Sequence, residues 1–265
     1  MNKTKIDWCD STWNPVTGCL YKCEYCYARR MVNRFSEYDG SFYLTSKERN
    51  DGDIFQPLFA LEEKRYKHIN NAKPRYEPYP FGFEPTFHKY RLNDYVGKTG
   101  RNIFVCSMSD LFGEWVPDSW IDEVFKACEK APQHNYLFLT KNPQRYVELA
   151  EKGILRCSDN MWYGWSQTKK EDVKTLCFPC SPNLFISVEP ILEPVLPSLE
   201  DWIIVGVETG RRKDKVIPKR EWIEQIVEDC RKYEIPLFMK SSLADIWDEP
   251  LIQEFPKELK RSGRE

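Results

Sequence analysis

Three cysteines within eight residues are the most chemically informative feature of the sequence. Cys19, Cys23 and Cys26 lie in the segment TGCLYKCEYCYARR, residues 17–30. A structural zinc site needs four ligands, so a fourth would have to come from Cys9, a histidine or the distant CFPC segment. An iron–sulfur cluster is also held by thiolates, and three protein ligands on a four-iron cluster leave one iron open. The C-x3-C-x2-C spacing lets one loop supply all three thiolates and therefore favours the iron–sulfur cluster.

Length, composition and charge set limits on the class of protein. The 265 residues are 41% hydrophobic and carry a net charge of −2. These values predict a packed globular chain and give no global electrostatic argument for nucleic-acid binding. With no apolar run of membrane-spanning length and no signal-peptide core at MNKTKIDWCD, we expect a cytoplasmic protein with no membrane contact. Its ten cysteines are then expected to be reduced, most of them buried, as at Cys128 and Cys230.

Apolar runs alternate with amphipathic segments from residue 102 onward, which indicates parallel strands separated by helices. With one strand before the cysteines, there are seven predicted strands: 13–17, 102–107, 135–140, 161–166, 184–189, 201–208 and 236–240. Helices are predicted in DSWIDEVFKACEK, PQRYVELAEKG and KREWIEQIVEDCRKY, with a short one around KKEDVKTL. The fold class is therefore α/β, a full or partial (β/α) barrel of parallel strands, and an open doubly wound sheet is the alternative.

Residues 35–100 interrupt this alternation and read as an irregular insertion in a single domain spanning residues 1–265. The segment is polar and aromatic, with one helix-like piece near 55–68. Long irregular segments of this kind often form lids, so we expect it to lie over the barrel mouth. Its YEPYPFGF stretch offers aromatic rings that either stack on nucleic-acid bases or pack the insertion onto the barrel.

The sequence CLYKCEYC resembles the C-x3-C-x-aromatic-C signature of the radical S-adenosylmethionine superfamily, with Tyr25 at the aromatic position. The segments DSTWNPVTGC, SMSDLFGEWV, LTKNPQRY, ISVEPIL and DWIIVGVETG extend a resemblance to a phage- and prophage-associated three-Cys-motif family of unknown function. This likeness covers most of the chain. It implies a partial TIM-type barrel, a [4Fe-4S] cluster held by the three cysteines, and S-adenosylmethionine as cofactor.

The resemblance also implies a reaction. The cluster would cleave S-adenosylmethionine to a 5′-deoxyadenosyl radical that abstracts hydrogen from an unidentified substrate, with electrons from an external flavodoxin- or ferredoxin-like donor. Tyr25 would lie near the adenine. Ser107, Ser109 and Asp110 occupy the place of a Gly-Gly-Glu-like segment that holds the methionine amino group, although Asp110 would equally serve as a turn cap.

Other polar residues follow the predicted strands, where the reacting groups of parallel barrels lie. The superfamily resemblance places Ser166 and Gln167 near a ribose. Lys141 and Lys240 either extend to solvent or meet an anion in the mouth, which for Lys141 would be the cofactor carboxylate or the substrate. Glu189 and Glu208 end apolar strands, where a carboxylate needs a partner, so they are either functional or paired with Lys141 or Lys240.

Two further clusters leave alternatives open. Arg211, Arg212 and Lys213 form a basic group that is either a solvated loop or a contact for an anionic substrate such as a nucleotide or nucleic acid. CFPC, with Cys177 and Cys180, allows a second metal site together with Cys157, whereas the three histidines show no metal spacing. The rival function is a non-catalytic zinc-binding or nucleic-acid-interaction protein of phage origin.

Overall fold

The computed structural model of the protein describes residues 4–38, 58–67 and 73–259. In chain order, its helices and strands are β1 (Ser11–Trp13), β2 (Val16–Thr17), α1 (Tyr27–Phe35), β3 (Phe59–Leu61), β4 (Tyr66–Lys67), β5 (Arg75–Tyr76), β6 (Thr86–His88), β7 (Asn102–Val105), α2 (Asp118–Glu129), β8 (Asn135–Thr140), α3 (Gln144–Glu151), β9 (Met161–Ser166), β10 (Asn183–Val188), β11 (Ile203–Val205), α4 (Arg220–Lys232) and β12 (Leu237–Met239). Short 3-10 turns lie at Lys89–Arg91, Lys170–Asp172, Ser241–Leu243 and Lys257–Leu259.

Seven parallel strands, in the order β1-β7-β8-β9-β10-β11-β12, form a half-barrel. Their apolar runs are buried on both faces, and α2, α3 and α4 supply three of the six crossovers that parallel neighbours require, between β7 and β8, β8 and β9, and β11 and β12. The α/β class and six of the seven predicted strands are confirmed, and the barrel is partial. The first predicted strand, 13–17, needs correction, because β1 of the half-barrel ends at Trp13 and Val16–Thr17 belongs to a separate small sheet. The N-terminal segment before β1 reaches the other edge of the sheet, because the Asp7 carboxylate accepts a hydrogen bond from the Ser241 amide after β12 (2.7 Å).

Side chains alternate between the outer face of the half-barrel, which packs on the helices, and its inner face. Near the amino ends of the strands, aromatic and aliphatic side chains fill the inside: Trp8, Phe104, Leu137, Trp162, Phe185, Trp202, Ile204 and Phe238. Toward the carboxyl ends of β8 and β10 the inner positions become polar. Leu137 is followed on this face by Leu139 and Lys141, and Phe185 by Ser187 and Glu189. The interior of the half-barrel is therefore filled by an apolar core near the amino ends of the strands and is polar at its mouth, near their carboxyl ends.

The described part of the insertion is built from short strands. β2, β6 and β3 form one small sheet, and β4 pairs with β5. The helix predicted near 55–68 is wrong where the structure describes it, because residues 59–61 and 66–67 are strands and residues 58 and 62–65 are not helical. Residues 55–57 and 68 lie outside the described residues. Phe59 and Phe81 stack at 3.8 Å, and both rings are buried. These strands form through pairing with distant residues, which local periodicity does not reveal.

Two smaller predictions need correction. The short helix expected around residues 169–176 is limited to the 3-10 turn Lys170–Asp172. Not all cysteines are free, since Cys157 and Cys180 form a disulfide. Cys157 precedes β9 and Cys180 precedes β10, and these strands are neighbours, so the sheet brings the two residues together. Within the described chain, no helix combines the length and apolar character needed to cross a membrane.

Candidate functional site

The three-cysteine loop connects β2 to α1 at the mouth of the half-barrel. It begins at Gly18, whose φ of +85° favours glycine, and a Cβ there would lie 2.1 Å from the Glu84 carbonyl oxygen. The Gly18 amide donates to the Met108 carbonyl (3.0 Å), and the Cys19 amide donates to the Phe83 carbonyl (3.1 Å). The loop is therefore fixed between the segment after β7 and the insertion.

All three cysteines of this loop are free and partly exposed. Cys26 caps α1, because its Sγ accepts a hydrogen bond from the Arg29 amide (3.4 Å), and its own amide donates to the Cys23 carbonyl (3.1 Å). The pKa of the Cys19 thiol is raised to about 12, first by burial and then by the negative charges of Asp110, Cys26 and Cys23. A bound metal reverses this preference, because thiolates are the ligating form.

The donor set fits an iron–sulfur cluster. In the part of the chain that the structure describes, no group of three or more His, Cys, Asp or Glu side chains converges closely enough to hold a single metal ion. A four-iron cluster has a different requirement, since each thiolate binds a separate iron. Three free, accessible thiols of Cys19, Cys23 and Cys26 spaced along one anchored loop meet that requirement.

Arg29 is a positioning residue that the sequence analysis missed. One of its guanidinium nitrogens donates to the carbonyls of Cys19 (2.8 Å) and Tyr21 (2.9 Å), and the group lies 4.6 Å from the ring centroid of Phe83. Helix α1 thus holds the loop that precedes it. The only sequence signal was an arginine three residues after Cys26, and its partners are backbone groups that a sequence cannot display.

Lys141 and Tyr25, both predicted to contact the cofactor, lie next to each other. The Lys141 ammonium donates to the Tyr25 hydroxyl (3.0 Å) and lies 5.1 Å from the centroid of its ring. Burial lowers the pKa of Lys141, but Tyr25, Cys23 and Asp110 outweigh this effect and raise it above the usual value. The ammonium therefore stays charged beside the cysteine loop.

The segment after β7, which was predicted to hold the methionine amino group, is hydrogen-bonded to neighbouring strand ends. It contains Ser107, Ser109 and Asp110. Asp110 is buried, and it accepts hydrogen bonds from the Thr140 hydroxyl (2.7 Å) and from the amides of Lys141 (2.8 Å) and Phe112 (3.1 Å). Burial raises its pKa despite these bonds. The Ser109 hydroxyl donates to the Val16 carbonyl (3.0 Å), and Ser107 Oγ donates to Asn14 Oδ1 (3.2 Å). These contacts join the ends of β1, β2, β7 and β8.

Ser166 and Gln167 differ in their placement. Ser166 lines a cavity of about 590 Å3 at the mouth, together with Tyr25, Lys141 and Arg212. Gln167 is fully buried, and its amide group binds Ser198 at both ends, donating to the hydroxyl (2.8 Å) and accepting from the amide (2.9 Å). The structure assigns Gln167 to holding the segment before β11 rather than to the ribose contact predicted from sequence.

Glu189 and Lys240 form an ion pair across the mouth, which is the structural alternative raised for them. Gly206, directly after the intervening strand β11, makes this possible, because a Cβ there would lie 2.9 Å from Lys240 Cδ and 3.2 Å from Glu189 Cδ. Both side chains retain partial exposure, so the pair also remains accessible from the mouth.

Glu208 pairs with Arg212, whose Nε donates to both carboxylate oxygens (2.8 and 3.2 Å) and whose Nη2 donates to Oε2 (2.8 Å). These bonds lower the pKa of Glu208. Arg212 also contacts Glu24 of the cysteine loop (3.4 Å), and Arg30 of α1 donates to the Thr209 carbonyl (3.3 Å). The segment after β11 is thereby tied to the cysteine loop and to α1.

The features that suggested nucleic acid are largely engaged within the protein. Phe81 and Phe83 are buried, and the Tyr76 hydroxyl bonds that of Tyr90 (2.9 Å). In the basic cluster, Arg212 is paired, while Arg211 and Lys213 are exposed. Phe81 and Phe83 therefore pack the insertion, as the second of the two interpretations expects, whereas Tyr76 stays exposed.

Comparisons with known proteins give one match. A family model described as "Protein of unknown function (DUF5131)" matches residues 3–247. Neither the curated proteins nor the solved structures contain a match to the chain.

Proposed function

The chain belongs to the DUF5131 family of proteins of unknown function, and we propose that it is a radical S-adenosylmethionine enzyme. One observation carries the proposal: the free thiols of Cys19, Cys23 and Cys26 lie on a single anchored loop at the polar mouth of a parallel half-barrel. Reacting groups in parallel barrels lie at this end of the strands.

The three cysteines would hold a [4Fe-4S] cluster, with one iron left for the cofactor. When bound, such a cluster supplies the electron that cleaves S-adenosylmethionine to methionine and a 5′-deoxyadenosyl radical. The protein supplies position and charge. Lys141 presents a cation beside Tyr25, Ser166 presents a hydroxyl to the mouth cavity, and the apolar inner core closes the other end of the half-barrel.

The substrate and the electron donor stay predictions. A nucleotide or nucleic acid remains the expected substrate class. Its support consists of the exposed Arg211 and Lys213 and the exposed ring of Tyr76, whereas Phe81 and Phe83 are buried. A flavodoxin- or ferredoxin-like donor is required by the proposed chemistry rather than by any particular surface.

Anaerobic reconstitution with iron and sulfide tests the proposal. We expect about four irons and four sulfides per chain, a broad visible absorbance and, with a reductant, release of methionine and 5′-deoxyadenosine from S-adenosylmethionine. Replacing Cys19, Cys23 or Cys26 by alanine should abolish the cluster.

Cys177→Ala is the matched control, because Cys177 is free and exposed but lies outside the loop, and it should retain the cluster. Stoichiometric zinc without reductive cleavage would favour the rival zinc-binding protein. A cluster that survives the triple replacement would mean that the ligands are wrong.

A further inference from the structure

Three accessible cysteines lie away from the mouth, in the loops that lead into β9 and β10. Cys157 is exposed and Cys180 half-buried, and they form the disulfide, while Cys177 is exposed and free. Cys177 and Cys180 belong to the CFPC segment, so they have the C-x-x-C spacing of exchangeable dithiols. The radical chemistry proposed above uses none of them.

We propose that Cys157, Cys177 and Cys180 form a thiol–disulfide exchange site. The Cys177 thiolate attacks Cys180 Sγ, the Cys177–Cys180 bond forms as the Cys157–Cys180 bond breaks, and Cys157 leaves as a thiolate that takes up the proton Cys177 gave to solvent. The reaction is an isomerisation, so it consumes no oxidant or reductant. It does not depend on what the three-cysteine loop binds.

The local chain permits the required movement. The flanking Leu176 and Phe178 pack on the two outer-face cores, which leaves Cys177 directed outward. In the described chain, the hydrogen bonds found for the backbone of residues 174–181 reduce to one, from the Ser198 hydroxyl to the Lys174 carbonyl (2.9 Å). Because residues 174–181 are held mainly by the packing of Leu176 and Phe178 and not by strand hydrogen bonds, this segment is able to move while the sheet stays intact.

Geometry limits how far the segment must turn. Three extended residue steps span about 10 Å, whereas disulfide-bonded cysteines have Cα atoms about 4.4–6.8 Å apart. The chain already bends at Pro179 and Cys180. The present partners, Cys157 and Cys180, have Cα atoms 6.5 Å apart, and Cys157 lies in a loop without regular secondary structure. Both pairings of Cys180 are thus within the range of a local loop movement.

The exchange would alter a link between two strands that carry residues of the mouth. The present disulfide joins the loops that lead into β9 and β10, and these strands end at Ser166 and just before Glu189. The alternative Cys177–Cys180 disulfide would close a loop within one segment and release the loops before β9 and β10 from each other. The three thiols therefore determine whether a disulfide joins the loops before β9 and β10, at the opposite end of these strands from the proposed site.

The test is disulfide mapping of the full-length disulfide-containing protein at pH 8 without added thiol. After acid quenching and alkylation with N-ethylmaleimide, we expect the label shared between Cys177 and Cys157, with both disulfide peptides present. Since the thiolate is the attacking species, incubation at pH 5 should leave the label on Cys177. In Cys177→Ser, labelling of Cys157 should fall about tenfold or more, whereas the neighbouring control Ser181→Ala should behave as the original protein.

A second variant distinguishes loss of the exchange from loss of the fold. Cys157→Ser, checked for its native circular dichroism spectrum, should form the Cys177–Cys180 disulfide on mild oxidation. Label confined to Cys177 at pH 8, label on all three cysteines, or failure of folded Cys157→Ser to pair Cys177 with Cys180 would each overturn the proposal.

Discussion

The guanidinium group of Arg29 donates a hydrogen bond of 2.8 Å to the carbonyl of Cys19, ten residues earlier in the chain. A second bond from the same nitrogen reaches the Tyr21 carbonyl. Helix α1 begins directly after Cys26, so its first turn holds the start of the loop that it follows. The side chain of Arg29 thereby fixes the backbone at Cys19 and Tyr21 relative to the helix that follows Cys26.

Replacing Arg29 by methionine should loosen the cysteine loop. It removes two charge-assisted hydrogen bonds, so we expect the free energy of unfolding of the apoprotein to fall by about 2 kcal/mol. Iron retention after reconstitution should also fall, and Arg29→Lys should restore part of both, because an ammonium keeps the charge but loses the planar geometry. Arg30→Met is the control on the same helix, since Arg30 donates to the Thr209 carbonyl (3.3 Å) and its charge acts on Glu208, away from the carbonyls of the cysteine loop. Equal effects at both positions would contradict the assignment.

Gly18→Ala should disrupt the loop more severely than any change at its surface. The substitution places a Cβ 2.1 Å from the Glu84 carbonyl oxygen at a residue with φ of +85°. We expect a loss of more than about 2 kcal/mol in the free energy of unfolding, together with loss of cluster binding. Gly97→Ala is the control that separates the cost of the positive φ from the cost of the steric clash, because Gly97 has φ of +73° with no atom within 4 Å of the added Cβ. It should cost only about 1 kcal/mol. A Gly18→Ala protein as stable as Gly97→Ala would refute the close approach.

The pKa of Cys19 predicts how the stability of the apoprotein depends on pH. Folding raises this pKa from 9.0 to about 12, so the folded state favours the neutral thiol. The resulting stabilisation is complete below the unfolded pKa and is lost as pH rises from about 9 toward 12. Urea unfolding at pH 8 and pH 10.5 should therefore show a smaller loss of stability in Cys19→Ala than in the original protein. Cys177→Ala should leave the loss unchanged, and an identical loss in Cys19→Ala would contradict the shift.

The half-barrel was predictable because its strands are apolar at nearly every position. NIFV, NYLFLT and MWYGWS are buried on both faces, and only a parallel sheet covered by helices provides that environment. The three cysteines were predictable because the motif is local. The insertion was not, since β3 and β6 pair with each other across residues that carry no regular pattern.

The partners of the polar residues were the least predictable part of the site. Glu189 pairs with Lys240 because Gly206 leaves room between them, and Gln167 is buried because Ser198 meets both ends of its amide. Each of these contacts joins segments far apart in sequence. The position of polar residues after predicted strands identified which of them lie near the mouth. It did not identify which of them already have hydrogen-bond or ion-pair partners within the protein.

Arg212 offers the clearest test of how the segment after β11 supports the cysteine loop. Its guanidinium neutralises Glu208, whose side chain is 2% exposed, and also reaches Glu24 of the loop. Because the folded pKa of Glu208 is lowered, the pair stabilises the protein above the unfolded pKa and this contribution is lost as pH falls through the folded value.

Arg212→Met leaves the Glu208 carboxylate buried without its partner, so it should lower the thermal unfolding midpoint by a few degrees at pH 7. The loss should be smaller near pH 4, where the ion pair contributes less to stability. Adding Glu208→Gln should recover part of the loss, since the remaining side chain no longer carries an unpaired charge. The exposed neighbour Arg211→Met serves as control and should leave the midpoint unchanged at both pH values. Additive losses in the double variant would show that Arg212 and Glu208 contribute independently, and the ion pair would then not be what ties this segment to the loop.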